Sequence, residues 1–212
     1  AKRLFPNFSF LDAPFNLEFY KPGDYRTEVG YMGCRTRVMS DITDLNNQTT
    51  GGRGNLSFTS INLPRIGIKY GICLKERTKA DMDGFYKELG ETMELVRDQL
   101  LERFEIQCNK RCYNFPFLIG QGVWTDGEKL KPTDRMRKIL KHGSLTLGFI
   151  GLAETLKALI GEHHGESEKA QKLGLEIIGF MRDKIDGFCK DYNLNFALIA
   201  TPAEGVSGRF VN

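Results

Sequence analysis

The segment Tyr31-Met-Gly-Cys-Arg-Thr-Arg37 sets a thiol directly after a glycine and among arginines. Gly33 permits a tight turn, which would present Cys34 at a loop tip. Arg35 and Arg37 would then lower the thiol pKa or bind an anion. A buried loop cysteine with surface arginines is the plainer alternative. Downstream, Gly51-Gly-Arg-Gly54 leads into Asn55-Leu-Ser-Phe-Thr-Ser-Ile-Asn62. The glycines suggest a phosphate cradle, but the Gly-Lys-Ser/Thr ending of a P-loop is missing and no helix follows directly. Asn62 is a polar amide near the end of an otherwise apolar strand pattern. Buried amides must be hydrogen-bonded, and ligands of parallel α/β sheets sit at the carboxyl ends of strands. A strand-terminating asparagine bonded to local backbone would look the same. The third segment, Leu198-Ile-Ala-Thr-Pro-Ala-Glu-Gly-Val-Ser-Gly-Arg209, runs from an apolar strand into a turn of small residues. Small residues let backbone N–H groups approach an anion, and a helix starting here would add about 0.3–1 kcal/mol toward holding phosphate. Ser207 and Arg209 would supply side-chain donors, unless this is a plain turn.

Strands and helices must position these segments. Residues 1–55 are rich in Gly, Pro, Asn, Asp and Thr and show little periodicity, and so long an irregular stretch is usually functional. Leu56–Leu63 alternates and stops at Pro64, which predicts a buried strand. From about Lys79 to Glu105, Phe85, Leu89, Met93, Val96, Leu100 and Phe104 form one apolar stripe and predict a long helix. Phe115–Ile119 is expected to be a short strand, Pro132–Lys141 a short basic helix, and Leu145–Leu152 an apolar strand run interrupted by glycines. A helix over Ala153–Ile160 should end at Gly161, and Ser167 should open another reaching Lys190. Leu194–Ala200 completes the pattern as a buried strand. Strands separated by long amphipathic helices imply crossovers and a largely parallel α/β sheet or barrel.

Composition narrows the function classes. The 212 residues are 41% hydrophobic and 27% charged with a net charge of +3, which fits an ordinary folded domain and gives no reason to expect nucleic-acid binding. No apolar run approaches the roughly 20 residues of a membrane span. Five cysteines and no secretion signal point to free thiols in a reducing cytoplasm. Cys108 and Cys112 lack the second pair that a zinc site needs, and Glu162-His163-His164 is not a helical HExxH motif, so no metal site is expected. His142, just before an apolar strand, reads as a structural hydrogen-bond partner.

Taken together, Tyr31–Val38, Gly52-Arg-Gly-Asn-Leu-Ser-Phe-Thr-Ser-Ile-Asn-Leu-Pro-Arg-Ile-Gly67 and Thr201-Pro-Ala-Glu-Gly-Val-Ser-Gly-Arg-Phe210 resemble the anaerobic (class III) ribonucleoside-triphosphate reductases. Pro6–Phe15 and His142–Leu152 are similar to the same family, in the same order. The resemblance implies one α/β domain over 1–212, part of a ten-stranded α/β barrel of the glycyl-radical enzyme and ribonucleotide reductase type. In that fold 1–55 would be the finger-loop region, with strands and long helices alternating over 56–212. Cys34 matches the thiyl-radical cysteine, which would abstract the ribose 3′-hydrogen of a ribonucleoside triphosphate, and Asn62 would contact the ribose hydroxyls. Thr201, Ala203, Glu204, Gly205, Val206, Ser207 and Gly208 would hold the substrate phosphates, with Arg209 beyond the motif.

The resemblance also implies a glycyl radical outside this segment, made by an iron–sulfur/S-adenosylmethionine activating enzyme. Nucleotide effectors, a homodimer, a zinc site elsewhere in the full protein and an anaerobic or facultative cytoplasm belong to the same expectation. The glycyl-radical loop, the zinc cysteines and a second active-site cysteine have no counterpart in the sequence, and it lacks an initiator methionine. It therefore reads as a core fragment, inactive alone. Alternatives are another glycyl-radical enzyme, of the pyruvate formate-lyase or dehydratase type, or a non-catalytic nucleotide-binding module.

Overall fold

Apolar residues at three- and four-residue intervals make the stretch around Phe85–Phe104 helical, and short alternating runs on either side of it make strands. The computed structural model describes residues 8–33, 36–38 and 40–207. In chain order it contains β1 (Gly30–Met32), β2 (Thr36–Val38), β3 (Asn55–Asn62), α1 (Leu63–Tyr70), α2 (Met82–Cys108), α3 (Arg137–Leu140), β4 (Ser144–Ile150), α4 (Leu152–Ile160), α5 (Glu168–Tyr192), β5 (Asn195–Ala200) and α6 (Glu204–Ser207). The architecture is mixed α/β. The chain divides into two compact units. One comprises Ala1–Leu56, Phe104–Leu145 and Asn193–Asn195; the other comprises Ser57–Arg103, Thr146–Tyr192 and Phe196–Asn212.

The second unit is built on a three-stranded sheet in the order β3-β4-β5. Ser144 N–H bonds Gly54 O at the start of the ladder, and Thr201 N–H bonds Phe149 O at its end, so starts meet starts and ends meet ends. The strands are therefore parallel, as their helical crossovers require. Strand alternation separates two faces. Ile61, Leu147 and Phe196 are buried on the helix side, where Phe196 meets Phe188 of α5 and Thr59 bonds Gln99 of α2. Ser60, Asn62 and Gly148 alternate onto the opposite face. Helix α2 buries Phe85, Leu89, Met93, Val96, Leu100 and Phe104, the stripe predicted from spacing, each contributing about 1.5–3 kcal/mol. It packs on α5 through Tyr86 and Phe180, and through Arg97 over the Phe188 ring. Helix α1 packs on α4, and α4 on α5, which Ser167 opens by accepting from Ala170 N–H. Among the described residues no helix is long and apolar enough to cross a membrane.

The first unit is irregular. The hairpin β1–β2 pairs Gly30 with Val38, Tyr31 with Arg37 and Met32 with Thr36. Trp124 is buried and donates its indole N–H to Ile139 O at 2.9 Å, beside buried Met136 and Leu140.

Several expectations are corrected. Phe115–Ile119 is a turn instead of a strand, because Pro116 has no N–H to give a ladder and Ile119 N–H folds back to Phe115 O. Only Arg137–Leu140 of the expected 132–141 helix is helical. Strand β3 is not buried along its length: Ile61 alone is fully covered, because β3 is an edge of the described sheet. Pro64 does more than stop that strand. It sits in the first turn of α1, a helix that the sequence reading did not anticipate.

Candidate active site

The carboxyl ends of β3, β4 and β5 collect small and polar side chains. Asn62 closes β3 and caps α1, its Oδ1 accepting from Arg65 N–H at 3.2 Å. The asparagine is exposed, and among the described residues its NH2 makes no hydrogen bond. Local backbone bonding, one of the two readings of this residue, therefore accounts for the oxygen and leaves the amide donors facing outward. Two residues earlier, Ser60 Oγ lies 2.7 Å from Thr201 Oγ1, so hydroxyls from β3 and from the residue following β5 meet across β4. Gly148 makes this possible: a Cβ there would lie 2.1 Å from Thr201 Oγ1 and 2.7 Å from Ser60 Oγ.

Beyond Thr201 the chain turns sharply. Ala203 has φ +50°, a left-handed conformation that costs a residue with a Cβ roughly 1–2 kcal/mol. Helix α6 follows, with Gly205 and Val206 exposed. Four residues of this helix are described. Gly208 and Arg209 lie outside the described residues, as do the side chains of Glu204 and Ser207.

In the other unit, the hairpin β1–β2 turns at Gly33, whose φ of +60° is a conformation that glycine adopts without strain. Cys34 and Arg35 follow it in sequence and lie outside the described residues. Arg37 bonds Asn16 Oδ1 at 3.0 Å and lies over the Phe15 ring. Shortly after β2, Asp41 is buried in a dense polar cluster. Its Oδ2 accepts from His142 Nδ1 at 2.8 Å, and its Oδ1 accepts from Thr43 N–H, Thr43 Oγ1 and Asn195 Nδ2 at 2.8–2.9 Å. Arg53 Nε lies 3.7 Å from Asp41 Oδ2, and both side chains are buried. Burial alone would raise the Asp41 pKa. Hydrogen bonds from His142, Asn195 and Thr43, with the Arg53 charge, overcome this and hold the carboxyl well below the usual carboxylate range. Burial lowers the Arg53 pKa, and Asp41 opposes that shift.

Arg53 lies within the Gly51–Gly54 turn. Its guanidinium turns inward and donates to the carbonyls of His142, Thr49 and Ser40, acting as a clamp on backbone.

Among the described cysteines, Cys108 and Cys112 are buried, and burial pushes the Cys108 thiol up to about 11 and raises that of Cys112. Burial also raises Cys189, while Cys73 is exposed. Thiols held protonated in this way are poor nucleophiles and poor metal ligands. Among the described residues no cluster of three or more His, Cys, Asp or Glu could hold a metal ion.

A family model described as anaerobic ribonucleoside-triphosphate reductase matches residues 1–212. The chain belongs to this family. The anaerobic ribonucleoside-triphosphate reductase of Salmonella typhimurium is 31% identical over 99% of the chain, and that of Escherichia coli is 30% identical over the same share. The chain spans 28% of the length of these curated relatives. A crystal structure of the anaerobic ribonucleotide reductase from Thermotoga maritima, with citrate in its active site, superposes with a TM-score of 0.50 at 18% identity. The match covers 72% of this chain and 25% of that one, and supports the fold.

Within this family chain, the structure brings Asn62 and Thr201 to one end of one sheet. Sequence reasoning missed Ser60 and the Asp41–Arg53–Asn195 cluster. Alternation could have found Ser60, which shares a strand face with Asn62. The cluster carried no comparable signal, since its members come from distant parts of the chain.

Proposed function

We propose that this chain is part of the catalytic core of an anaerobic ribonucleoside-triphosphate reductase, making deoxyribonucleoside triphosphates for DNA synthesis. The observation that carries the reading is the family match over all 212 residues. On this reading 1–212 is one piece of a ten-stranded α/β barrel. A glycyl radical outside these residues, formed by an iron–sulfur/S-adenosylmethionine activating enzyme, supplies the oxidising equivalent for the thiyl at Cys34. The Cys34 sulfur takes the hydrogen atom from C3′, forming S–H as C3′–H breaks. The 2′-hydroxyl then takes up a proton and leaves as water, a donor (formate, oxidised to carbon dioxide, or a dithiol, oxidised to a disulfide) delivers two electrons and a proton to the sugar, and Cys34 returns the hydrogen atom to C3′, regenerating the thiyl. Holding the reacting atoms in line and excluding water supply the control.

Asn62 is proposed to give its free amide donors to the ribose hydroxyls. The turn Thr201–Gly208 is proposed to bind the phosphates through backbone N–H groups, and strain at Ala203 supports a functional turn. A homodimer, nucleotide effectors, a zinc site elsewhere in the parent protein and an anaerobic cytoplasm complete the proposal. The test is the full-length protein, activated anaerobically, with Cys34→Ser. Deoxynucleotide formation should be abolished, and a variant that still reduces triphosphates would sink the assignment of the radical cysteine.

A further inference from the structure

The three-pair hairpin β1–β2 is too small to fix its own orientation, because a lone two-stranded ribbon is marginally stable in water. Its base is held on both sides. Thr50 N–H bonds Arg26 O, and Thr50 Oγ1 bonds Glu28 O, just before β1. Just after β2, Arg53 takes Ser40 O, and Asp41 receives His142, Thr43 and Asn195. The same Arg53 holds Thr49 O, next to Thr50, and His142 O, so one guanidinium ties both ends of the hairpin to His142. Asn195 also accepts from Ile42 N–H and donates to Lys141 O, which fastens the loop after β2 to the chain at His142.

This arrangement is poorly suited to maximising stability. A buried charge pair returns about what its desolvation costs. The second ring nitrogen, His142 Nε2, is buried without a hydrogen-bond partner among the described residues, its nearest charge being Asp126 Oδ2 at 3.5 Å. What such a cluster secures is a single geometry, since every bond on Asp41 is directional and each partner comes from a different segment.

We propose that His142, acting through Asp41, is a positioning residue that sets the β1–β2 hairpin and thereby tunes the hydrogen abstraction assigned to Cys34, which follows Gly33 in sequence. This rests on the reductase reading given above.

The experiment uses the full-length protein activated anaerobically by its activating enzyme, with a ribonucleoside triphosphate deuterated at C3′ as the isotopic probe. His142→Ala removes the Nδ1 donor, whereas His142→Asn places an amide N–H near the same point. With His142→Ala, kcat should fall roughly a hundredfold, the order expected when reacting atoms are misplaced by about an ångström. KM for the triphosphate should stay within about twofold and the glycyl-radical signal should be unchanged, because only the abstraction step is affected. The 3′-deuterium isotope effect should rise in His142→Ala and fall back in His142→Asn, with most of kcat restored. A purely structural role would not move the isotope effect. An unmoved isotope effect, or equal losses in both variants, overturns the proposal. If His142→Ala does not fold, Thr43→Val, which deletes one donor to Asp41 Oδ1, should show the same split in smaller measure. Unchanged kcat and isotope effect there would overturn it equally. Failure of the parent reading looks different: an activated wild-type protein that reduces no triphosphate, or an active Cys34→Ser variant, removes the reductase or radical-site assignment itself.

Discussion

Replacing Gly148 by alanine tests whether the strand ends are set by the close approach of three strands. The new Cβ would sit 2.1 Å from Thr201 Oγ1 and 2.7 Å from Ser60 Oγ, where 3.4–4 Å is ordinary contact. Thr201 must therefore withdraw by more than an ångström, which breaks its bond to Ser60. Losing that hydrogen bond costs about 0.5–1.5 kcal/mol, and the overpacking adds about 1–3 kcal/mol. A combined penalty of about 1.5–4.5 kcal/mol lowers Tm by roughly 3–18 °C at this chain length. Thermal unfolding followed by circular dichroism measures it directly. The double variant Gly148→Ala/Thr201→Ala removes the atom most closely approached, so it should recover about 1–2 kcal/mol relative to additivity. Triphosphate affinity, measured by calorimetry, should fall in Gly148→Ala because Thr201 leads into the proposed phosphate turn. A Tm shifted by less than about 1 °C, or strict additivity in the double variant, would refute the argument.

Asp41 should govern acid sensitivity. Its folded pKa lies below its ordinary 3.8, so its contribution is fully present above that value and is lost as pH falls below 3.8 toward the folded pKa. Asp41→Asn should flatten the acid limb of stability measured by denaturant titration from about pH 6 down to pH 2, and a slope identical to wild type would contradict this. Asp41→Asn also removes the carboxylate 3.7 Å from the buried Arg53 side chain, so it should lower stability at neutral pH as well. Iodoacetamide at pH 8 should label exposed Cys73 well before Cys108 and Cys112, which should react only after unfolding; mass spectrometry that found Cys108 modified early would contradict its burial.

Much of the scaffold was legible in the residues. The stripe from Phe85 to Phe104, the stop at Gly161 and the start at Ser167 follow local rules of spacing and capping, and the helices formed where those rules put them. Phe115–Ile119 misled because apolar runs look alike until a proline within them is weighed. The helix after β3 was legible in principle: Asn62 as cap and Pro64 in the first turn are a helix-start signal, obscured by reading proline only as a stop.

The candidate site divides in the same way. The motif around Cys34, the amide of Asn62 and the small-residue turn after Thr201 are local patterns, and the sequence by itself determined their identity, their order and the family to which they point. Which hydroxyl meets Thr201, why position 148 has no side chain, and the inward turn of Arg53 were decided only by tertiary structure. Asp41, His142 and Asn195 are separated by 101 and 154 positions from Asp41 to each partner, and no periodicity links them. Periodicity encodes which face of an element is apolar. The pairing of a buried charge with its donors is encoded only once chain segments meet, because desolvation makes those bonds obligatory at that point and not before.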